Sequence, residues 1–126
     1  MSPEAAWSFL PLGYALTILI ETPILLAFLS RRHSISRRLL AGVWLTACTY
    51  PIVVLVLPFL FSSRLNYLLV AETFAPGAEC LLFWLAFIKG KPEATRRSIA
   101  VDMATVAGAN LCSFAAGEWM QAAGWL

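Results

Sequence analysis

Charge divides the chain into four long apolar runs. Between Trp7 and Ser30 the only ionisable side chains are Glu21 and Tyr14, and Arg31 and Arg32 close the run. Leu39 to Phe61 carries no charge. Tyr67 to Ile88 is interrupted only by Glu72 and Glu79 and ends at Lys89, while Ser98 to Gly117 is interrupted only by Asp102. Each run is about 20 residues, the length at which a helix crosses roughly 30 Å of hydrocarbon. Membrane strands would be about half as long and would alternate polar with apolar residues, which these runs do not. The pattern therefore predicts an all-α membrane protein with four transmembrane helices in a single domain over residues 1–126. The spans pair as two tandem hairpins, about 7–61 and 67–126, joined by the Ser62-Ser63-Arg64-Leu65-Asn66 turn. Pro92 is expected to open the fourth helix, since proline suits a first helical turn.

Composition agrees with that class. The 126 residues are 60% hydrophobic and 13% charged, whereas a soluble domain is about half apolar and a quarter charged. A soluble enzyme and a disordered chain are excluded. A net charge of +2 offers no phosphate-tracking surface, so no nucleic acid is expected as a partner; the lipid bilayer is. The N-terminus has no basic region, carries Glu4 and leads into a run too long for a secretory signal, so the first span is expected to stay attached.

The basic residues set the orientation. Arg31, Arg32, Arg37 and Arg38 lie between the first two spans, and Lys89, Lys91, Arg96 and Arg97 between the last two. Arg64 stands alone on the other side. The positive-inside rule then places both basic loops in the cytoplasm and both termini outside, in a multi-pass protein of the cell (inner or plasma) membrane. Arg31, Arg32, Arg37, Arg38, Arg96 and Arg97 are also candidates for binding anionic headgroups. Trp7, Trp119 and Trp125 suit an outer interfacial belt.

The halves resemble each other. Glu21-Thr22-Pro23-Ile24-Leu25-Leu26-Ala27-Phe28 is similar to Glu79-Cys80-Leu81-Leu82-Phe83-Trp84-Leu85-Ala86-Phe87, and each run leads to a basic loop ending in an arginine pair. Thr46-Ala47-Cys48-Thr49-Tyr50 is similar to Asn110-Leu111-Cys112-Ser113-Phe114. Two hairpins of the same topology would be related by an axis along the membrane normal.

Four acids lie inside the spans: Glu21 and Glu79 near the midplane, Glu72 about two turns further out, and Asp102 in the inner quarter of the fourth. No Lys, Arg or His lies in a span to pair with them. A carboxylate at such depth costs at least about 2.5–3.5 kcal/mol, so it takes up a proton, binds a cation, or faces water or a partner. Helical spacing puts Gly13, Thr17 and Glu21 on one face, Glu72, Ala75/Pro76 and Glu79 on another, and Asp102, Asn110, Ser113 and Gly117 close to one stripe. Turned inward, these faces would bring Glu21, Glu79, Asn110 and Thr49 to one level, with Glu72 above and Asp102 below. Three readings follow: an ion or proton pathway, acids met by another subunit's bases, or hydrogen bonds that specify the bundle.

Prolines fall inside the spans at Pro23, Pro51, Pro58 and Pro76. Pro76-Gly77, between two glutamates, is the candidate helix break, as in discontinuous transporter helices. Ala104, Gly108, Cys112 and Ala116 form a small-residue row suited to close helix contact, within the chain or between copies. Cys48, Cys80 and Cys112 form no C-x-x-C pair, which argues against a disulfide enzyme; a soft-metal site of thiols and glutamates is left open. His33, the only histidine, reads as a solvated loop residue, so no axial haem ligand is available and no cofactor is expected. No hydrolase, metalloprotease or phosphate-binding motif occurs, so the chain is not expected to be an enzyme; an intramembrane lipid-acting enzyme is the least supported alternative. In size, helix count and a glutamate in the first span, Glu21, the chain is similar to the small multidrug resistance transporters. That likeness implies, as an analogy, proton-coupled antiport by an oligomer of four-helix subunits. The expected function is a homo-oligomeric proton- or cation-linked transporter or channel, with a non-catalytic subunit or scaffold of a larger membrane complex as the alternative.

Overall fold

The computed structural model describes residues 2–125. Its regular elements are helices: α1 (Pro3–Phe28), α2 (Ile35–Leu55), α3 (Arg64–Phe83) and α4 (Arg96–Ala122), with a 3-10 turn at Leu57–Phe59 and a π-helical segment at Trp84–Ile88. Four helices are long and apolar enough to cross a membrane: Pro3–Phe28, Ile35–Phe59, Arg64–Ile88 and Arg96–Ala122.

Each helix starts where a hydroxyl can satisfy a free backbone N–H. Ser2, Ser34 and Ser63 accept from the N–H groups of Ala5, Arg37 and Asn66. At α4 the cap is Thr95, paired with Ser98 in a reciprocal capping box. This corrects the expectation that Pro92 opens the fourth helix. Pro92 lies in the connecting loop, where the N–H of Ala94 reaches the Lys91 carbonyl, and the capping box begins only at Thr95.

Pro76-Gly77 is not a break. α3 runs through both positions, as α1 runs through Pro11 and Pro23 and α2 through Pro51. One proline removes one hydrogen bond, and the turns on either side hold the helix. The irregularity in this span comes later, at Trp84–Ile88, where the N–H of Lys89 reaches back five residues to the Trp84 carbonyl. A π-turn adds a residue to the turn, so Phe83 and Ile88, five apart, both point inward and are buried.

Helix α1 packs on α2 and α4, and α3 on the same two. Arg32 donates to the Phe87 carbonyl and lies 3.7 Å from Glu93, which puts the loops at 29–34 and 89–95 at one end of the bundle. Arg64 bonds Glu118 and Gln121 at the other end. Packing differs between the two ends. The tight core, Leu25, Leu29, Ala41, Leu45, Phe83, Ile88, Val106 and Ala109, fills the half nearest the loops. Small residues matter there, since helices in lipid associate through close van der Waals contact. Gly42 is the clearest case: a Cβ on it would collide with the hydroxyl of Thr22 across the α1–α2 contact.

Candidate functional site

The half nearest Arg64 is not filled. A cavity of about 170 Å³ lies between the four helices, and a second of about 380 Å³ adjoins it, the two sharing Tyr67, Glu72 and Glu118 in their walls. Gly13 opens room in the inner one, where any Cβ would strike the Tyr50 phenol. Six of the seven polar residues singled out from the sequence line this inner cavity: Glu21, Thr49, Glu72, Glu79, Asn110 and Ser113. Helical spacing brought Gly13, Thr17 and Glu21 to it on one face of α1. Thr17, Thr46, Glu118 and Gln121 add further polar groups. The rest of the wall is largely aromatic and aliphatic, with Phe9, Tyr50, Tyr67 and Phe114 among it, and no Lys, Arg or His is part of the inner lining.

Glu21 and Glu79 are each 3% exposed. The Ser113 hydroxyl stands 2.5 Å from Oε2 of Glu21, and the Thr49 hydroxyl 2.8 Å from Oε2 of Glu79. Each carboxyl is thus met by a hydroxyl from a neighbouring helix, α4 for Glu21 and α2 for Glu79. The same hydroxyls also reach backbone carbonyls of their own helices: Ser113 that of Asn110 at 3.0 Å, Thr49 that of Leu45 at 3.1 Å. Asn110 spends its amide N–H on the Val106 carbonyl at 3.0 Å. Glu72 is less enclosed, yet its Oε2 is buried without a hydrogen-bond partner. Such an atom loses hydration with nothing in return, which makes Glu72 the least satisfied group of the cavity wall.

Asp102 stands apart from this group. It is fully buried near the loops, and its carboxylate accepts from the N–H of Ser30 at 2.8 Å and the Ser30 hydroxyl at 3.1 Å. His33 Nε2 lies 2.8 Å from Oδ2, and Arg32 Nε 4.0 Å from it. His33 is therefore not a solvated loop residue; it is 3% exposed, edge-on to Phe83 at 5.2 Å between ring centres. No base lies within the spans, and the bases that meet Asp102 come from the loop; among the described residues no base pairs with Glu21, Glu72 or Glu79. The physical reason is that residues 29–34 fold back over the end of the bundle, so a loop base reaches a span acid. The signal was the inner-quarter position of Asp102, less than two turns beyond the start of α4.

The arginines divide in the same way. Arg31, Arg37, Arg96 and Arg97 are exposed, whereas Arg32 and Arg38 are partly buried. Arg38 donates to the carbonyl of Leu26, one of those the C-terminus of α1 leaves unpaired, and to the loop carbonyls of Ser30 and His33. Arg32 donates to the Phe87 carbonyl at 2.6 Å. Both guanidinium groups thus bond backbone carbonyls at this end of the bundle. Among the described residues no group of three or more His, Cys, Asp or Glu is placed to hold a metal ion, and Cys48, Cys80 and Cys112 are free thiols.

No protein-family model, no curated protein and no solved structure matches the chain.

Proposed function

We propose that the chain is a multi-pass protein of the inner or plasma membrane that moves protons or cations, working as a homo-oligomer. The observation that carries this reading is the pair Glu21 and Glu79: each 3% exposed, both at one cavity, with no base in its lining. Carboxyls at such depth are costly, and a cavity open to exchange is what makes two of them useful. By the positive-inside rule the basic loops face the cytoplasm and the termini and cavity the opposite side. The packed core and the Asp102–His33–Arg32 cluster then close the cytoplasmic half, as one half of an alternating-access cycle requires.

The same reading treats residues 7–61 and 67–126 as a duplicated hairpin. Supporting it, the buried positions Ala41, Gly42, Leu45 and Thr46 of α2 recur at constant spacing as Thr105, Val106, Ala109 and Asn110 of α4. Gly13, Glu21 and Leu25 of α1 recur likewise as Ala71, Glu79 and Phe83 of α3. In proteoliposomes, pH- or cation-driven flux is expected for the native chain, with Glu21→Gln and Glu79→Gln each lowering it at least tenfold. Unchanged flux in both variants would overturn the reading.

A non-catalytic subunit is the second reading. Ala104 and Cys112 are exposed on α4 and nothing lies within 4 Å of a Cβ built on Gly108, an open small-residue row that suits another helix. Gentle-detergent purification distinguishes the two: one stoichiometric foreign membrane protein favours the subunit, and a homo-oligomer favours the transporter.

A further inference from the structure

We propose that Thr49 and Ser113 are two-position hydrogen-bond switches that let Glu79 and Glu21 hold or release a proton with no movement of the carboxyl groups, which makes the proton the ion handled at this cavity. The inference rests on the transport reading above and deepens it.

A hydroxyl has one hydrogen to give and can also accept. Thr49 Oγ1 stands 2.8 Å from Glu79 Oε2 and 3.1 Å from the Leu45 carbonyl, both of them acceptors when Glu79 is ionised. The single hydrogen serves only one at a time. With Glu79 ionised it points at Oε2, a charge-assisted bond and the stronger choice. When a proton from cavity water binds Oε2, that oxygen becomes the donor and Oγ1 the acceptor. The hydroxyl hydrogen then turns to the Leu45 carbonyl, a bond that serine and threonine side chains make readily within helices. Release reverses the steps and returns the proton to water. The bond between Oγ1 and Oε2 is kept in both states, and only a hydrogen rotates.

Ser113 repeats the arrangement, with 2.5 Å to Glu21 Oε2 and 3.0 Å to the Asn110 carbonyl. Thr49 and Ser113 occupy corresponding places in the two similar sequence segments, as do Glu79 and Glu21. Two occurrences of one geometry in corresponding positions argue for a device rather than a chance contact. The hydroxyl of each pair reaches Oε2 and not Oε1, and both glutamates, 3% exposed, line the cavity, with the Asn110 amide beside Glu79.

The titratable groups facing the pair are few. From α3 come Glu72 and Tyr67, from α2 Tyr50 and from α4 Glu118, while α1 brings only Glu21 itself. Arg64 lines the outer cavity and is held by Glu118. No fixed positive charge locks either glutamate in its ionised form, so both states are open to it.

Infrared titration of the purified, lipid-reconstituted chain reads the device directly through the carbonyl stretch of protonated carboxyls. Two titrating bands are expected, one lost in Glu79→Gln and the other in Glu21→Gln. Thr49→Val, equal in shape but without the hydroxyl, is expected to move the Glu79 midpoint upward by about one pH unit, because the ionised form loses the stronger bond. Ser113→Ala is expected to do the same to Glu21. Thr49→Ser and Ser113→Thr restore the native midpoints, which a packing role would not require. Millimolar Mg²⁺ or K⁺ at fixed pH leaves the bands unchanged. Midpoints unmoved by Thr49→Val and Ser113→Ala, or bands abolished by either cation, would overturn the proposal. Flux with unmoved midpoints defeats the switch and leaves transport standing; shifted midpoints without flux do the reverse.

Discussion

Asp102 and Glu118 illustrate how differently two acids of one helix can matter. Asp102 is fully buried, with Ser30, His33 and Arg32 around it, so its removal leaves donors enclosed without a partner. Removing one member of a buried pair costs about 3–5 kcal/mol. Asp102→Ala is therefore expected to lower the melting temperature in detergent steeply. Glu118 faces Arg64 with side chains 37% and 58% exposed, where such pairs contribute about 0–1 kcal/mol. Glu118→Ala should melt close to the native chain, and comparable losses in the two variants would refute this division of roles.

Helix contacts decide which glycines tolerate a side chain. Gly42 touches Thr22 across α1–α2, and a Cβ there has no room. Gly42→Ala must push the helices apart or turn Thr22 out of its well, at about 1–3 kcal/mol. Gly108 meets nothing within 4 Å, so Gly108→Ala should leave the stability of the isolated chain unchanged. Melting curves of the two variants in the same detergent check this; a loss at Gly108 as large as that at Gly42 would point to a partner helix already seated on α4. The π-helical turn belongs to this scale as well. It re-aims α3 so that Phe83 and Ile88 both enter the core, and Phe83 braces His33, joining a backbone irregularity to the Asp102 cluster.

The molecule as a whole is solid at one end and hollow at the other. Ala75 lines the inner cavity, while Ala41 is wholly enclosed in the packed half. With Cys48, Cys80 and Cys112 replaced by alanine, a cysteine at Ala75 is expected to react with a membrane-impermeant thiol reagent added from the side of the termini. A cysteine at Ala41 is expected to stay unreactive from either side. Labelling at Ala75 only from the side of the basic loops would reverse the proposed orientation of the cavity.

The sequence by itself determined the class and the spans. Length and apolarity mark out four helices long and apolar enough to cross a membrane, in which every backbone group must be satisfied within its own segment. The start of the fourth helix at the Thr95 cap rather than Pro92, by contrast, came from the structure. Helical spacing also selected Glu21, Thr49, Glu72, Glu79, Asn110 and Ser113, since residues on one inward stripe meet at a bundle centre whatever the detail. What spacing could not decide was depth and partnership. Asp102 shares the stripe of Asn110 and Ser113, yet a loop folding back over the bundle gives it His33, Arg32 and Ser30, contacts far apart in the chain that only tertiary packing creates. The pairing of Glu21 with Ser113 and Glu79 with Thr49 likewise depends on which helices lie side by side. Periodicity fixes the face a residue takes; the neighbour it meets there is settled by how the faces pack.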